Sequence, residues 1–542
     1  MKRITFFAAE CLAVALLFLS CQTGNRTFPT GCLDNIILKD SSDLEIRIED
    51  NLNRLQSERY QPDRAIADDP RWPGDYVGRT ILGLVLDSRA LHTQARYLPE
   101  ILHRLPDIME KGYVGADFSP AINEQQLSGH GWLLRGLCEY YKWKGDKSVL
   151  PLVRSIADSL FLRGAGCYAR YPISAEERST AGGEASGSIN STNEEWMLST
   201  DVGCIFIGAA GLVDAYEILK DPALPPVIEE MFGRFVQVDL VGIKMQTHAT
   251  LSALRGMLKY YSLTGERKWL DAAVERWQTY EDHGMTCTYA NYNWFDREDS
   301  WTEPCAVVDS YMVAFDLWRF TGVSHYRDMA ELIYYNALGH GQRQNGGFGC
   351  DNCPSGEDPF LRVVKPEATW CCTMRGGEGL PRVAESAWMK KGKTLYAAML
   401  FSSTLETEGL EVKEETAYPE KPGVVFTIVR NARKMNSLLF PDLPWAEAWR
   451  ITVNGKETEP ERKNGFFKLE RAFKAGDRVE VSFSIKRYND EWHGCKRFFR
   501  GPQLLCSEGA ERLDAADVNV LSLAPAGRRT VLSECKPRQI LF

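Results

Sequence analysis

The sequence predicts a mainly α-helical protein with a β domain at its end: a ring of stacked helix pairs followed by a β-sandwich. Three observations lead to this fold class. Similar helices recur through the N-terminal two thirds of the chain, further helical patterns lie between them, and short alternating strands replace them after about residue 390. The length of 542 residues allows one large domain and a smaller one.

The composition is that of an ordinary globular protein. Hydrophobic residues make up 44% and charged residues 25% of the chain, which excludes wholesale disorder, a collagen repeat and a polytopic membrane protein. There are 64 Lys and Arg against 73 Asp and Glu, for a formal charge of -9, and the basic residues form no block. We therefore expect no nucleic acid partner.

The first residues have the features of an export signal. Lys2 and Arg3 give a positive start, residues 4–20 are mostly apolar, and the segment that ends in Cys21 resembles a bacterial lipobox. We predict a lipoprotein signal peptide at 1–20 and a mature chain in the cell envelope, which touches the membrane only through a lipid on Cys21. An uncleaved signal anchor or a plain secretory peptide is the alternative.

Four amphipathic helices of similar length define the helical domain, predicted at 21–389. Each ends in an aromatic-rich turn and then a Gly or Asp, and they begin near His130, Cys204, His248 and Cys305. Helical patterns between them, at 95–109 and 227–236, make the unit a helix pair. Stacked pairs can close into a ring that places the starts of the inner helices around one mouth. The polar segment 174–195 is either a loop bordering that mouth or disordered.

The C-terminal domain, predicted at 390–542, is a β-sandwich. Its short runs alternate between apolar and polar residues, as in DRVEVSFSI. Asn454-Gly455 and Asn464-Gly465 are typical of two-residue hairpin turns. This combination of domains is common in enzymes that act on carbohydrates, although a fold alone does not assign a function.

The cysteines provide the sharpest chemical signal. Glu303 and Cys305 form an E-x-C motif, and Cys371 is directly followed by Cys372. Adjacent cysteines rarely form a strain-free disulfide, whereas three thiolates and a carboxylate suit zinc. A purely structural zinc site and unrelated free thiols are the alternatives. The C-x-x-C motif at 350–353 is a second metal clamp, a disulfide or a competing ligand set.

Several motifs together resemble glycoside hydrolase family 127 and its close relatives, the bacterial β-L-arabinofuranosidases. They are Gly129-His130, His248, Glu303-x-Cys305, Tyr335-Asn336, Cys371-Cys372 and the RGPQLL run at 500–505. The resemblance implies an (α/α)6 barrel with β-sandwich modules and a zinc cofactor. It also implies that Glu303, Cys305, Cys371 and Cys372 are the zinc ligands, that Cys371 is the nucleophile, and that His130 and His248 line the sugar pocket.

The sequence departs from this family at the acid/base. The family places a glutamate some sixteen residues before the E-x-C glutamate, but here residues 285–295 read MTCTYANYNWF and contain no carboxylate. Possible substitutes are Glu281, Asp282, Asp296 and Glu298. The cysteine pair is followed by TMRGGEG, so Arg375 and Glu378 are expected to change the shape of the pocket. Tyr289 and Trp294 are candidates for stacking on sugar, with plain packing as the alternative.

These observations favour an exo-acting, retaining glycoside hydrolase of the β-L-arabinofuranosidase type. Its nucleophile would be the zinc-bound thiolate of Cys371, and its substrates oligosaccharides or polysaccharides of plant type. One alternative is a catalytically lapsed, zinc-stabilised lipoprotein that binds glycans. Another is a polysaccharide lyase that uses Tyr289, Asn291 and His248.

Overall fold

The computed structural model describes residues 31–32, 36–39, 42–67, 69–117, 121–178, 186–527 and 536–542. The predicted signal peptide and Cys21 lie outside these residues. Within them, no helix is both long enough and apolar enough to cross a bilayer.

Twelve helices of seven or more residues dominate the described part of the chain up to residue 385. They are α1 (Asp43–Leu55), α2 (Asp75–Ala90), α3 (Leu98–Arg104), α4 (Glu124–Lys144), α5 (Leu150–Ile156), α6 (Ile205–Leu219), α7 (Leu224–Phe235), α8 (Thr247–Thr264), α9 (Arg267–His283), α10 (Pro304–Thr321), α11 (Ser324–Ile333) and α12 (Cys372–Glu385). Shorter helical segments are Glu58–Tyr60, Pro62–Ala65, Leu105–Ile108, Lys147–Val149, Ala157–Phe161, Leu162–Gly164, Tyr168–Arg170, Ala175–Arg178, Tyr334–Leu338, Gly339–Gly341 and Val520–Ser522.

The even-numbered helices form a closed inner ring. Each contacts the next in the order α2, α4, α6, α8, α10 and α12, and α12 contacts α2 again. The odd-numbered helices pack around this ring, for example α1 against α2 and α12, and α9 against α8 and α10. Because outer and inner helices alternate along the chain, all six inner helices begin at the same end of the ring. This arrangement confirms the predicted (α/α)6 barrel.

Local sequence explains where the inner helices end. Gly145, Gly265 and Gly322 follow α4, α8 and α10 with positive φ values, a conformation that glycine adopts without strain. Helix α6 ends without a glycine, because Lys220 takes the left-handed position with φ 52°. Glycines also let inner helices approach closely: a Cβ on Gly78 would lie 2.3 Å from the backbone nitrogen of Leu133 in α4.

The β-rich region contains three large sheets, formed mainly by residues 388–542. In spatial order, the first contains Gly31–Cys32, Trp388–Lys391, Thr394–Ala397, Ser437–Pro441, Phe466–Glu470 and Glu461–Lys463. The second contains Lys456–Glu457, Ala446–Val453, Arg478–Ile485, Val424–Asn431, Leu410–Thr416, Ser403–Thr407 and Ile36–Leu38. The third contains Arg487–Trp492, Cys495–Arg500, Gln503–Glu508, Arg538–Gln539 and Phe360–Leu361, with Ala524–Pro525 paired to Gln503–Glu508.

Two smaller sheets lie within the helical part of the chain. One orders Ile122–Asn123, Trp196–Ser199 and Ile189–Thr192, and the other pairs Cys350–Asp351 with Val363–Lys365. The first of these sheets falls partly in the segment expected to be a polar loop or disordered. After its strand Trp196–Ser199, a short turn leads the chain into α6.

The β region differs in detail from a single sandwich made of 390–542. Strands at 31–32 and 36–38, from the segment assigned to the barrel, are edge strands of the first two sheets. The two predicted hairpin turns are present, since Asn454, Gly455, Asn464 and Gly465 all have positive φ values. The second turn lies against the barrel, where the next residue, Phe466, stacks on Trp318 of α10 at a centroid distance of 5.5 Å.

Candidate metal centre and active site

Neighbouring inner helices bring one carboxylate and three thiols together at the mouth of the ring. Glu303 directly precedes α10 and Cys305 is its second residue, while Cys371 precedes α12 and Cys372 begins it. One ligand atom from each of the four lies within 4.8 Å of all the others. The Sγ atom of Cys372 is 3.6 Å from that of Cys305 and 3.4 Å from that of Cys371.

The donor set fits a zinc ion. Zn–S bonds of about 2.3 Å at tetrahedral angles separate two sulfurs by roughly 3.8 Å, close to the spacing observed here. Oε2 of Glu303 is buried and has no hydrogen-bond partner. Burial raises the pKa values of Cys305 and Cys372 well above that of a free thiol, so a bound cation is the group that would hold these sulfurs as thiolates.

The side chains around Glu303 fix its orientation. His248, the second residue of α8, has Nδ1 3.1 Å from Oε1 of Glu303. The backbone N–H of Glu303 donates to Oδ1 of Asn291 at 3.0 Å. Although burial alone would raise the pKa of Glu303, its contact with His248 and the charge of Arg79 hold that pKa below its usual value. Glu303 is therefore held as a carboxylate, the form that binds a metal.

A buried cationic layer lies beneath the cluster. Arg79 in α2 donates to Sγ of Cys305 at 3.5 Å and to Oδ1 of Asp75 at 2.7 Å. Its guanidinium lies 4.2 Å from the ring centroid of Trp132, whose ring also stacks on His248 at 5.6 Å. Sequence reasoning missed Arg79 and Trp132. The charge of Arg79 could have identified it, because an arginine buried among the apolar residues of an inner helix requires a buried partner.

The carboxylate of Asp309 lies among these buried cationic side chains, next to His248. It accepts hydrogen bonds from Nη2 of Arg375 at 2.6 Å and from the Ser252 hydroxyl at 2.5 Å, and it is fully buried. Glu378 is also fully buried and pairs with Arg135 and Arg375. Arg375 and Glu378 thus lie within the ring, and their effect on the shape of the sugar pocket stays a prediction.

The structure places His130 in contact with partners other than the metal cluster. Nε2 of His130 accepts the backbone N–H of Val114 at 2.9 Å, and Nδ1 donates to the carbonyl of Gln126 at 2.8 Å. Burial lowers the pKa of His130 to about 4, so the ring is neutral and held by backbone on both sides. Its role as a sugar ligand stays a prediction. Cys204 is a buried free thiol just before α6.

Tyr289 and Trp294 lie in the buried segment 285–295. Tyr289 packs against Arg497 and Phe499 of the third sheet, at 5.1 and 6.4 Å between group centres. Trp294 meets Trp301 edge to face at 5.2 Å, and its Nε1 has no hydrogen-bond partner. Their proposed stacking on sugar stays a prediction.

Cys287 occupies the position where the resemblance implies the acid/base. It is fully buried, and burial raises the pKa of its thiol to about 12. The four carboxylates considered as substitutes each contact a side chain outside the metal cluster: Glu281 contacts His325 at 2.8 Å, Asp282 contacts Gln278 at 3.2 Å, Asp296 contacts His283 at 2.9 Å, and Glu298 lies 3.7 Å from His493. None of these four contacts involves Cys305, Cys371 or Cys372.

Of the remaining cysteines, Cys350 contacts the metal cluster through a side-chain hydrogen bond with Cys372. Eleven cysteines in the described residues carry free thiols, including Cys350 and Cys353. The group of potential metal ligands found among the described residues contains neither of these two. Cys353 instead contacts the carbonyl of Asn291 at 3.8 Å. The structure therefore gives no disulfide between Cys350 and Cys353.

Comparison with known proteins places this geometry in context. The family model described as the β-L-arabinofuranosidase GH127 catalytic domain matches residues 77–385, and the GH127 middle-domain model matches 394–485. A comparison with curated proteins gave no match.

Solved structures share the fold over most of the chain. One described as a glycoside hydrolase has a TM-score of 0.67 at 16% identity, covering 89% of this chain and 84% of its own. A GH127 β-arabinofuranosidase has a TM-score of 0.63 at 15% identity, covering 90% and 86%. A GH127 β-L-arabinofuranosidase from Geobacillus stearothermophilus T6 has 0.63 at 15%, covering 88% and 86%. The catalytic-domain model matches more than half of the residues of this chain, and the chain therefore belongs to the GH127 family of glycoside hydrolases.

Proposed function

We propose that this protein is an exo-acting, retaining glycosidase that removes terminal β-L-arabinofuranose, or a closely related furanose, from plant-type glycans. The observation that carries the proposal is the cluster of Glu303, Cys305, Cys371 and Cys372 at the mouth of the ring. Support for the sugar comes from the family model and from the activity named for two of the similar structures.

The exposure of Cys371 supports its assignment as the nucleophile. Cys305 and Cys372 are fully buried, whereas Cys371 is only partly buried and so is the thiol of the cluster that a substrate can reach. A zinc ion bound by the four residues would keep the sulfurs deprotonated at neutral pH. Glu303, held by His248, would remain a ligand while Cys371 reacts.

The reaction follows the two-step course of retaining glycosidases. Sγ of Cys371 attacks the anomeric carbon, the bond to the leaving oxygen breaks, and an acid delivers a proton to that oxygen. Water, deprotonated by the same group, then attacks the anomeric carbon and releases Cys371. Two inversions at one carbon give net retention.

The test is hydrolysis of an aryl β-L-arabinofuranoside by reduced, zinc-loaded protein. We expect release of the phenol by the natural chain and none by Cys371→Ser. The control is Cys167→Ser, which removes a thiol of similar exposure outside the cluster and should retain full activity. Persistent activity in Cys371→Ser would refute the thiolate mechanism.

A lapsed, glycan-binding protein is the second candidate function, favoured by the lack of a carboxylate at 285–295. It would bind glycans saturably, with zinc at one equivalent, and release no product from any arabinofuranoside. Turnover of an oligosaccharide would exclude it.

We also propose that the mature chain is held in the cell envelope by a lipid on Cys21. The lipobox-like segment before Cys21 supports this. Mass spectrometry of the N-terminal peptide from the native host should find an acylated Cys21, and an unmodified peptide that begins elsewhere would contradict the proposal.

A further inference from the structure

A glycosidase with Cys287 in place of the expected glutamate needs another proton donor near the nucleophile. A useful candidate is a carboxyl group that is buried, close to the mouth of the ring and free of cationic partners, because an ion pair would keep it ionised. Three buried carboxylates at or beside the mouth have an arginine partner: Asp75 pairs with Arg79 at 2.7 Å, Glu124 with Arg178 at 3.0 Å and Asp351 with Arg343 at 3.0 Å. Each of these three therefore has a cationic partner beside it.

Asp201 differs from them in its partners. Its side chain is buried, and within the described part of the chain its oxygens accept hydrogen bonds from two neutral donors: the Ser186 hydroxyl at 3.0 Å and the backbone N–H of Gly187 at 3.1 Å. Among the described residues it forms no ion pair. Both donors lie in the polar segment that the sequence predicts at the border of the mouth.

The backbone around Asp201 ties it to the metal site. Asp201 lies in the turn that leads into α6, and the carbonyl of the next residue, Val202, accepts the backbone N–H of Gln246 at 3.1 Å. Gln246 immediately precedes α8, and His248 two residues later pairs with Glu303. Asp201 thus lies before the start of α6, across the ring from α12, the helix that Cys371 directly precedes.

The charges around Asp201 favour its protonated form. The titratable groups that act on it are Glu303, Glu124 with its partner Arg178, and Cys204. Burial, together with the negative charges of Glu303 and Glu124, raises the pKa of Asp201 to about 7, although the hydrogen bonds from Ser186 and Gly187 act in the opposite direction. Burial, the largest of these causes, does not depend on the charge of Glu303.

We infer that Asp201 is the acid/base of this protein, an inference that rests on the proposed glycosidase function. In the first step Cys371 bonds to the anomeric carbon, the glycosidic C–O bond breaks, and the Asp201 proton passes to the leaving oxygen, which departs as an alcohol. In the second step the Asp201 carboxylate takes a proton from water, the water oxygen bonds to the anomeric carbon, and the C–S bond breaks. The net reaction consumes one water and restores both residues.

The test compares two β-L-arabinofuranosides, one with a p-nitrophenyl and one with a methyl leaving group. A nitrophenol leaves without acid assistance, whereas methanol requires it. For Asp201→Asn we expect kcat/KM to fall about 100- to 10,000-fold on the methyl glycoside and far less on the aryl glycoside. Added azide should restore turnover of the aryl glycoside and yield a glycosyl azide of retained configuration. The control Asp271→Asn, which removes an exposed carboxylate paired with Arg267, should behave as the natural chain.

A second variant tests the same inference without removing the carboxyl group. Ser186→Ala removes a hydrogen bond that lowers the pKa of Asp201, so activity lost at alkaline pH should be lost at a higher pH than in the natural chain. If Asp201 had a purely structural role, the pH at which activity is lost on the alkaline side would not change in this variant.

The outcomes separate the two proposals. If the natural chain releases nitrophenol but Asp201→Asn loses activity equally on both substrates, or on neither, the inference about Asp201 is wrong and the proposed function stands. If the natural chain cleaves neither substrate, the proposed function is wrong, and the inference about Asp201, which rests on it, is wrong with it.

Discussion

Replacing Asp309 with Asn removes the negative charge at the centre of the ring and should strongly destabilise the helical domain. Asp309 is fully buried, and its oxygens lie 2.6 Å from Nη2 of Arg375 and 3.8 Å from Nε of Arg255. Asn retains the shape and can still accept the Ser252 hydrogen bond, so the loss reports the charge. Removing one partner of a buried ion pair costs about 3–5 kcal/mol. We expect the free energy of unfolding to fall by an amount near the lower end of this range, because Glu378 still pairs with Arg375 and Asp214 with Arg255.

The measurement is urea unfolding of zinc-loaded protein, followed by far-ultraviolet circular dichroism. Asp316→Asn is the matched control, because Asp316 lies on the same helix and pairs with Arg319 at 2.5 Å, but both side chains are partly exposed. Such a pair contributes about 0–1 kcal/mol. Arg375 and Arg135 hold the pKa of Asp309 below its usual value against the effect of burial, so the difference between the natural chain and Asp309→Asn should persist at neutral pH and shrink only in acid. A loss no larger than that of the control would refute this reasoning.

Three further predictions concern the metal, a buried histidine and a turn. Zinc should bind at one equivalent per chain, chelation should lower both activity and thermal stability, and Cys305→Ser should bind no zinc in an elemental assay; full zinc content in that variant would contradict the ligand assignment. The pKa of His130 is about 4 in the folded protein and 6.5 for the free side chain. The neutral ring therefore contributes roughly 3 kcal/mol of stability above about pH 6.5, and this contribution is lost as the pH falls toward 4. In urea unfolding, His130→Gln should lack this part of the pH dependence. Gly465→Ala should destabilise the protein more than Gly455→Ala. Both glycines have a φ of 75°, so both substitutions cause a backbone strain of about 1–2 kcal/mol, but only a Cβ at 465 would contact Ser324, at 2.5 Å. Equal unfolding free energies for the two variants would show that Ser324 moves aside at no cost.

The regular parts of the fold could be predicted from the sequence because their signals are local. Amphipathic repeats identify the inner helices, and the glycines at 145, 265 and 322 mark their ends. Paired turn residues such as Asn454-Gly455 identify the hairpins. The edge strands at 31–32 and 36–38 were missed, because segments of two or three residues are too short to show a period.

The candidate site was predictable only in part. Glu303, Cys305 and the cysteine pair were visible as motifs, and the resemblance grouped them before the structure brought them together. Arg79 and Trp132 were not assigned to the site from the sequence, because their partners Cys305 and His248 come from other inner helices. His130 was also singled out by its motif; backbone groups occupy both of its ring nitrogens, and its role in binding sugar stays a prediction.

The edge strands near the N terminus also determine when the protein can finish folding. Leu38 pairs with Ser403, and Gly31 with Lys390, so nearly the entire helical domain lies between the partners in sequence. Contacts of such long range form late, because closing the intervening loop has a high entropic cost until the helices have folded. During synthesis or export the first strands must therefore wait, unpaired, for the β region to emerge, and a fragment that stops at the end of the helical domain would leave them without partners.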